Sequence, residues 1–157
     1  MYIKLFFITL ITVLSFSIGI AEEGKIKMPE NNLIAPANIT GQVTFLYYRD
    51  MDAAENFYGK ILRLKKTFDK GGVKFYQLTE NSYVGLVGEG RGLHKFSDSK
   101  PVMISMVTTE VAIWDSYLKT QNVEYVSAYN PEGDNGPVHG FIVLDPGGYT
   151  IEFFQWN

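Results

Sequence analysis

The residue with the clearest chemical potential lies close to the chain's end. Residues 145–157 read DPGGYTIEFFQWN, and Glu152 stands there between Ile151 and Phe153. The run is aromatic and β-branched, which predicts a strand. Side chains alternate faces along a strand. Thr150, Glu152, Phe154 and Trp156 therefore share one face, and Ile151 and Phe153 the other. A carboxylate among aromatics is costly to bury unless it is paired, hydrogen-bonded or bound to a metal. In a pocket, Glu152 could serve as a general base, with His139 or His94 as the acid. The plainer alternative makes Glu152 a solvated acid or structural acceptor and His139 a satisfied strand residue. Arg91, His94 and Lys95, in the glycine-rich stretch 88–100, are the remaining chemically interesting side chains.

Several chemistries are excluded by counts alone. The 157 residues contain no cysteine and two histidines. Thiolate nucleophiles, thiolate metal sites, disulfides and a histidine-rich metal site are therefore all absent. A net charge of −3 without clustered Lys and Arg argues against nucleic acid as a partner. The three alternate glycines of GEGRGLHKFSDSK do not form a phosphate cradle, because no helix opens straight after them. A connector or pocket lid suits that stretch better.

The elements that must position these groups come in two matching sets. Gln42 to Arg49 predicts a strand, and Asp50 a helix cap with Asp52 in the first turn. Ala54, Phe57, Tyr58 and Ile61 make one helical stripe. Strands follow at Leu64 to Asp69, Val73 to Thr79 and Ser82 to Val87. The pattern then returns: a strand at Val102 to Thr108, a cap at Thr109, and a helix with Val111, Trp114 and Leu118 on one side. Asn122 is placed to end that helix in the left-handed region. Val123 to Ala128, Val138 to Leu144 and Tyr149 to Trp156 are the closing strands, with a long turn at NPEGDNGP. The reading is α+β: two tandem βαβββ modules, about 40–90 and 101–157, whose curled sheets form a U-shaped mixed β-sheet trough with the helices outside.

Ahead of the modules, Lys4, the apolar run Leu5 to Ile20 and the small residues Gly19 and Ala21 predict a secretory signal peptide over 1–21. An uncleaved membrane anchor is the second reading, and in that case this segment is the only contact with a membrane. Residues 22–39, polar with Pro29 and Pro36, read as a tether, and 40–157 as the folded domain. The expected location is periplasmic or secreted.

The doubled unit, with RDMDAAENFY and ILRL in 49–64, VAIWDSYLKTQNV in 111–123 and FIVLDPGGYTIEFFQW in 141–156, resembles the vicinal oxygen chelate superfamily. That group includes glyoxalase I, extradiol dioxygenases, and fosfomycin and bleomycin resistance proteins. The resemblance implies four inward metal-ligand positions on the first and last strands of each module. Carried over, they fall on Val43, Leu86, Met103 and Glu152, so only Glu152 retains a donor. A divalent cation wants about six oxygen or nitrogen ligands. No cofactor is therefore expected, and a divalent metal is the alternative. The ligand pocket expected from strand alternation comprises Phe45, Tyr47, Met103, Ser105, Thr150, Glu152, Phe154 and Trp156. This lining suits a flat or amphipathic small organic molecule. Three functions remain open: a metal-independent, sequestering binder; a metal-dependent lyase or dioxygenase; and a structural module that pairs as a homodimer.

Overall fold

The computed structural model describes residues 39–133 and 136–157. The expected signal peptide and tether, apart from Ile39, lie outside the described residues. The order is β1 (Gln42–Tyr48), α1 (Met51–Glu55), a π-helical turn (Asn56–Ile61), β2 (Lys65–Lys70), β3 (Val73–Thr79) and β4 (Ser82–Gly88). The second module has β5 (Met103–Val107), α2 (Val111–Lys119), β6 (Tyr125–Ser127), β7 (Val138–Leu144) and β8 (Thr150–Trp156). The strand orders are β1-β4-β3-β2 and β5-β8-β7-β6. Both sheets are mixed, because β1–β4 and β5–β8 run parallel while the other pairs are antiparallel. This is the α+β pair of βαβββ modules expected from the sequence. Among the described residues, no helix is long and apolar enough to cross a membrane.

Local chemistry explains the helix ends. Asp50 accepts a hydrogen bond from the Ala53 amide at 2.9 Å, capping α1 as expected. The second cap differs. Thr109 does not cap α2; Glu110 occupies that position without a side-chain bond, and Thr108 Oγ1 accepts from the Glu110 amide at 3.1 Å. Arg63 and Asn122 follow the two helices at equivalent places with φ of 54° and 55°. β6 spans only three residues, shorter than the expected Val123–Ala128.

One face of each sheet is buried beneath its helix. Leu46, Tyr48, Val84 and Leu86 fill that side of the first sheet, and Ile104, Phe141, Val143, Ile151 and Phe153 fill it in the second. Together with Ala54, Phe57, Tyr58, Val111 and Leu118 from the helices, they form one core cluster. Trp114 joins it against Phe153, with ring centroids 5.0 Å apart. Two tyrosines of the first module meet one acid of the second. Asp145 accepts from Tyr48 at 2.5 Å and Tyr58 at 2.9 Å on one oxygen, and from the amides of Gly147 and Tyr149 on the other.

Candidate functional site

The faces turned away from the helices carry the candidate site. On the first sheet, register puts Val43, Phe45 and Tyr47 beside Tyr83, Gly85 and Val87. On the second, Met103 and Ser105 stand beside Thr150 and Glu152, with Ile142 on the far side of Glu152. Strand alternation therefore placed Phe45, Tyr47, Met103, Ser105, Thr150, Glu152, Phe154 and Trp156 on the face opposite the core.

The assignment of Leu86 is corrected. Leu86 pairs with Leu46 and is 0 % exposed, so it belongs to the core. Gly85, opposite Phe45, is the residue on the open face. Ser105, which follows Met103 by two residues, pairs with Glu152, just as Phe45 follows Val43 and pairs with Gly85. The true counterpart of Glu152 is thus Gly85. Aligning Tyr83 with Tyr149 by residue type puts Leu86 at the place of Glu152. The pairing instead matches Tyr83 to Thr150, and one residue of slip reverses the face.

Gly85 has a packing role. A Cβ there would lie 2.6 Å from Cδ1 of Phe45 and 3.1 Å from Cγ1 of Val43. The Phe45 ring therefore rests directly on the backbone of β4. It meets Phe75 edge-on at 5.6 Å, and Phe75 meets Phe68 at 4.8 Å with planes inclined by 30°. The result is an aromatic floor across the first sheet. Phe68 and Phe75 were absent from the expected lining. The alternation of β2 and β3 carried that information, but the bulge between Lys66 and Phe68 masked it in β2.

Glu152 accepts a 2.5 Å hydrogen bond from Ser105 Oγ. It borders a hollow that also reaches Asn130, His139, Gly140 and Ile142. His139 is not positioned to act with it. His139 pairs with Gln155 while Glu152 pairs with Ile142, so the two lie on opposite faces and roughly 10 Å apart at ~3.3 Å per strand residue. The imidazole stacks on Tyr129 at 6.1 Å and hydrogen-bonds Asn157 through Nδ1. That is the satisfied strand histidine of the plainer reading.

The stretch between the modules covers part of the first open face. Gly92, with φ of 72°, passes so close that a Cβ would meet Val87 at 2.9 Å and Tyr47 at 3.1 Å. The His94 amide donates to the Tyr47 hydroxyl at 3.4 Å, and its ring stands edge-on to Tyr47 at 5.7 Å. Phe96 is held between two cations: Arg49 at 4.2 Å and Lys100 at 3.6 Å from the ring centroid. Lys100 also lies 4.5 Å from the Tyr149 ring, and burial holds its ammonium below the usual lysine range. Asp98 pairs with Arg49 at 3.6 Å. The stretch expected as a connector or lid thus packs over Tyr47.

A divalent metal does not fit these positions. The four equivalent side chains are Val43, Gly85, Met103 and Glu152, which together offer one carboxylate, already bonded to Ser105. Among the described residues, no group of three or more His, Cys, Asp or Glu could hold an ion.

Solved structures share this architecture. A glyoxalase/bleomycin resistance protein/dioxygenase from Nocardioides superposes with a TM-score of 0.64 at 16% identity, covering 79% of this chain and 87% of that one. The fold is that of the vicinal oxygen chelate proteins. TioX from Micromonospora sp. ML1 shares the vicinal oxygen chelate fold with a TM-score of 0.62 at 13% identity, over 74% and 98% of the two chains. Lactoylglutathione lyase from Agrobacterium tumefaciens gives 0.58 at 20% identity, over 76% and 94%. No family model and no curated protein sequence matches the chain. At these identities the likeness concerns the fold, and chemistry must be argued from the site.

Proposed function

We propose that this protein is an exported, metal-independent binder of small organic molecules, built on the vicinal oxygen chelate fold. One observation carries the reading: on the open sheet faces, three of the four positions where this fold places metal ligands hold Val43, Gly85 and Met103, and the Phe45 ring lies over Gly85. The same faces offer stacking area and one polar pair, Ser105 and Glu152, able to accept a hydrogen bond from a ligand. Aromatic rings with a few placed polar atoms are the usual composition of organic-ligand sites. Export rests on Lys4, the apolar run Leu5 to Ile20 and the small residues Gly19 and Ala21.

Metal analysis of the purified chain, with and without Glu152→Gln, tests the proposal. Nickel, zinc, manganese or iron retained near one per chain, and lost on substitution, would establish the lyase or dioxygenase alternative. A metal-free chain that binds an aromatic probe, with binding weakened by Phe45→Ala, supports the binder. Homodimerisation is a second reading, favoured by the exposure of Val107 at 61 % and Trp156 at 65 %. Sedimentation across a concentration series checks it.

A further inference from the structure

The first sheet sorts its charges by face. On the helix side, Lys66 and Lys74 are tied to Glu55 and Asp69 at 2.6 to 3.3 Å. On the open side, Lys65 pairs in register with Gln77 and Lys70 with Val73, flanking Phe68 along the same strand. Among the described residues, neither Lys65 nor Lys70 has a carboxylate within ion-pair distance. The strand positions sharing their face carry no acid, because β1, β3 and β4 contribute only apolar residues, glycine, tyrosine and Gln77 there. Two free ammonium groups therefore stand beside an aromatic floor whose outer rings are 47 % (Phe45) and 41 % (Phe68) exposed.

We propose that the open face of the first sheet binds a planar aromatic anion. Its ring lies on the Phe45–Phe75–Phe68 floor, and its carboxylate or sulfonate sits against Lys65 or Lys70. This deepens the binding function proposed above and rests on it. The spacing suits such a ligand. Lys70 follows Phe68 by two strand residues, roughly 7 Å, and a lysine side chain spans the distance from a ring stacked on Phe68 to an acid on that ring. An exposed ion pair contributes ~0.2–1 kcal/mol, so one lysine gives an anion roughly a 1.4-fold to fivefold advantage over a neutral isostere.

The test titrates the full chain with 2-naphthalenesulfonate, neutral 2-naphthalenemethanol and cationic 2-naphthylmethylammonium, read by probe fluorescence. The sulfonate is expected to bind roughly 1.4-fold to fivefold more tightly than the alcohol, and the ammonium most weakly. The preference should shrink as salt is raised to 0.5 M, because exposed charges are screened. Lys65→Gln with Lys70→Gln should erase the preference while leaving the alcohol's affinity unchanged, and Phe68→Ala should weaken all three probes. Equal affinities, or a preference that survives the double lysine variant, overturn the anion assignment. If the alcohol still binds and needs Phe68, the binding function itself stands. If none of the probes binds below millimolar concentration, both fail. A dimer that Phe68→Ala dissociates and that the probes displace would assign the face to a second copy of the chain and overturn the proposal.

Discussion

Replacing Asp145 with alanine should cost about 2–5 kcal/mol of folding stability. The carboxylate is 4 % exposed and gathers four donors. The two turn amides regain water in part, at ~0.5–1 kcal/mol each. The hydroxyls of Tyr48 and Tyr58 do not, since those residues are 1 % and 0 % exposed. They keep only each other, 3.2 Å apart, so one hydroxyl proton is left without an acceptor, at ~1–3 kcal/mol. Urea unfolding followed by tryptophan emission measures the loss. The midpoint should fall by roughly 1–5 M with the slope unchanged, for a slope of ~1–3 kcal/mol/M. In a Tyr48→Phe, Tyr58→Phe background the same substitution should cost at least ~1 kcal/mol less, because no hydroxyl is left stranded. A loss below ~1 kcal/mol in the otherwise native chain, or equal losses in both backgrounds, would refute the reasoning.

Three further outcomes are expected. Burial, the neighbouring hydroxyl and Asp145 all bear on Tyr48, and burial and Asp145 on Tyr58; both phenols are raised well above the ordinary tyrosine range. Both chain states keep these protons below about pH 10, and above it the unfolded state alone releases them. Stability should therefore fall by up to ~2.7 kcal/mol per pH unit above that point. Tyrosinate absorbance from the whole set by pH 11 with native near-ultraviolet dichroism would contradict this. Gly85→Ala forces the Phe45 ring off β4. It should cost up to ~2 kcal/mol, because overpacking at ~1–3 kcal/mol is offset by the ~0.5–1 kcal/mol gained in exchanging glycine for alanine in a strand, while weakening naphthyl-probe binding; unchanged affinity would remove the aromatic floor from the site. Phe96→Ala removes two cation–π contacts worth ~0.5–2 kcal/mol each. Trypsin cleavage after Arg91 or Lys95 should then speed up roughly tenfold, and an unchanged rate at equal global stability would show that the ring does not hold the strap down.

The architecture was legible because the chain repeats itself. Asp50 and the stripe of Ala54, Phe57 and Tyr58 mark the first helix as strongly as Val111 and Leu118 mark the second, and each helix buries those residues. Alternation placed the second sheet's open face, since β8 has no bulge. What escaped depended on pairing. The partner of Glu152 was misassigned to Leu86 because the turns before β4 and β8 differ in length, and only cross-strand register fixes the equivalence. The cluster of Tyr48, Tyr58 and Asp145 joins residues up to 97 positions apart, beyond any local pattern. The closing of the first helix as a π-helical turn also left no mark in its apolar spacing.

The edges of the first sheet have a consequence for solubility. An outer strand with free amides invites extra strands from neighbouring molecules. β1 is the outer strand on one side, and there the Tyr149 hydroxyl accepts from the Tyr47 amide at 2.9 Å, reaching from the other module. On the opposite side β2 reads KKTFDK, exposed along its whole length, so an incoming strand would have to bury three lysines. A sheet with these two guarded borders can present its aromatic face to water without recruiting further strands at its edges.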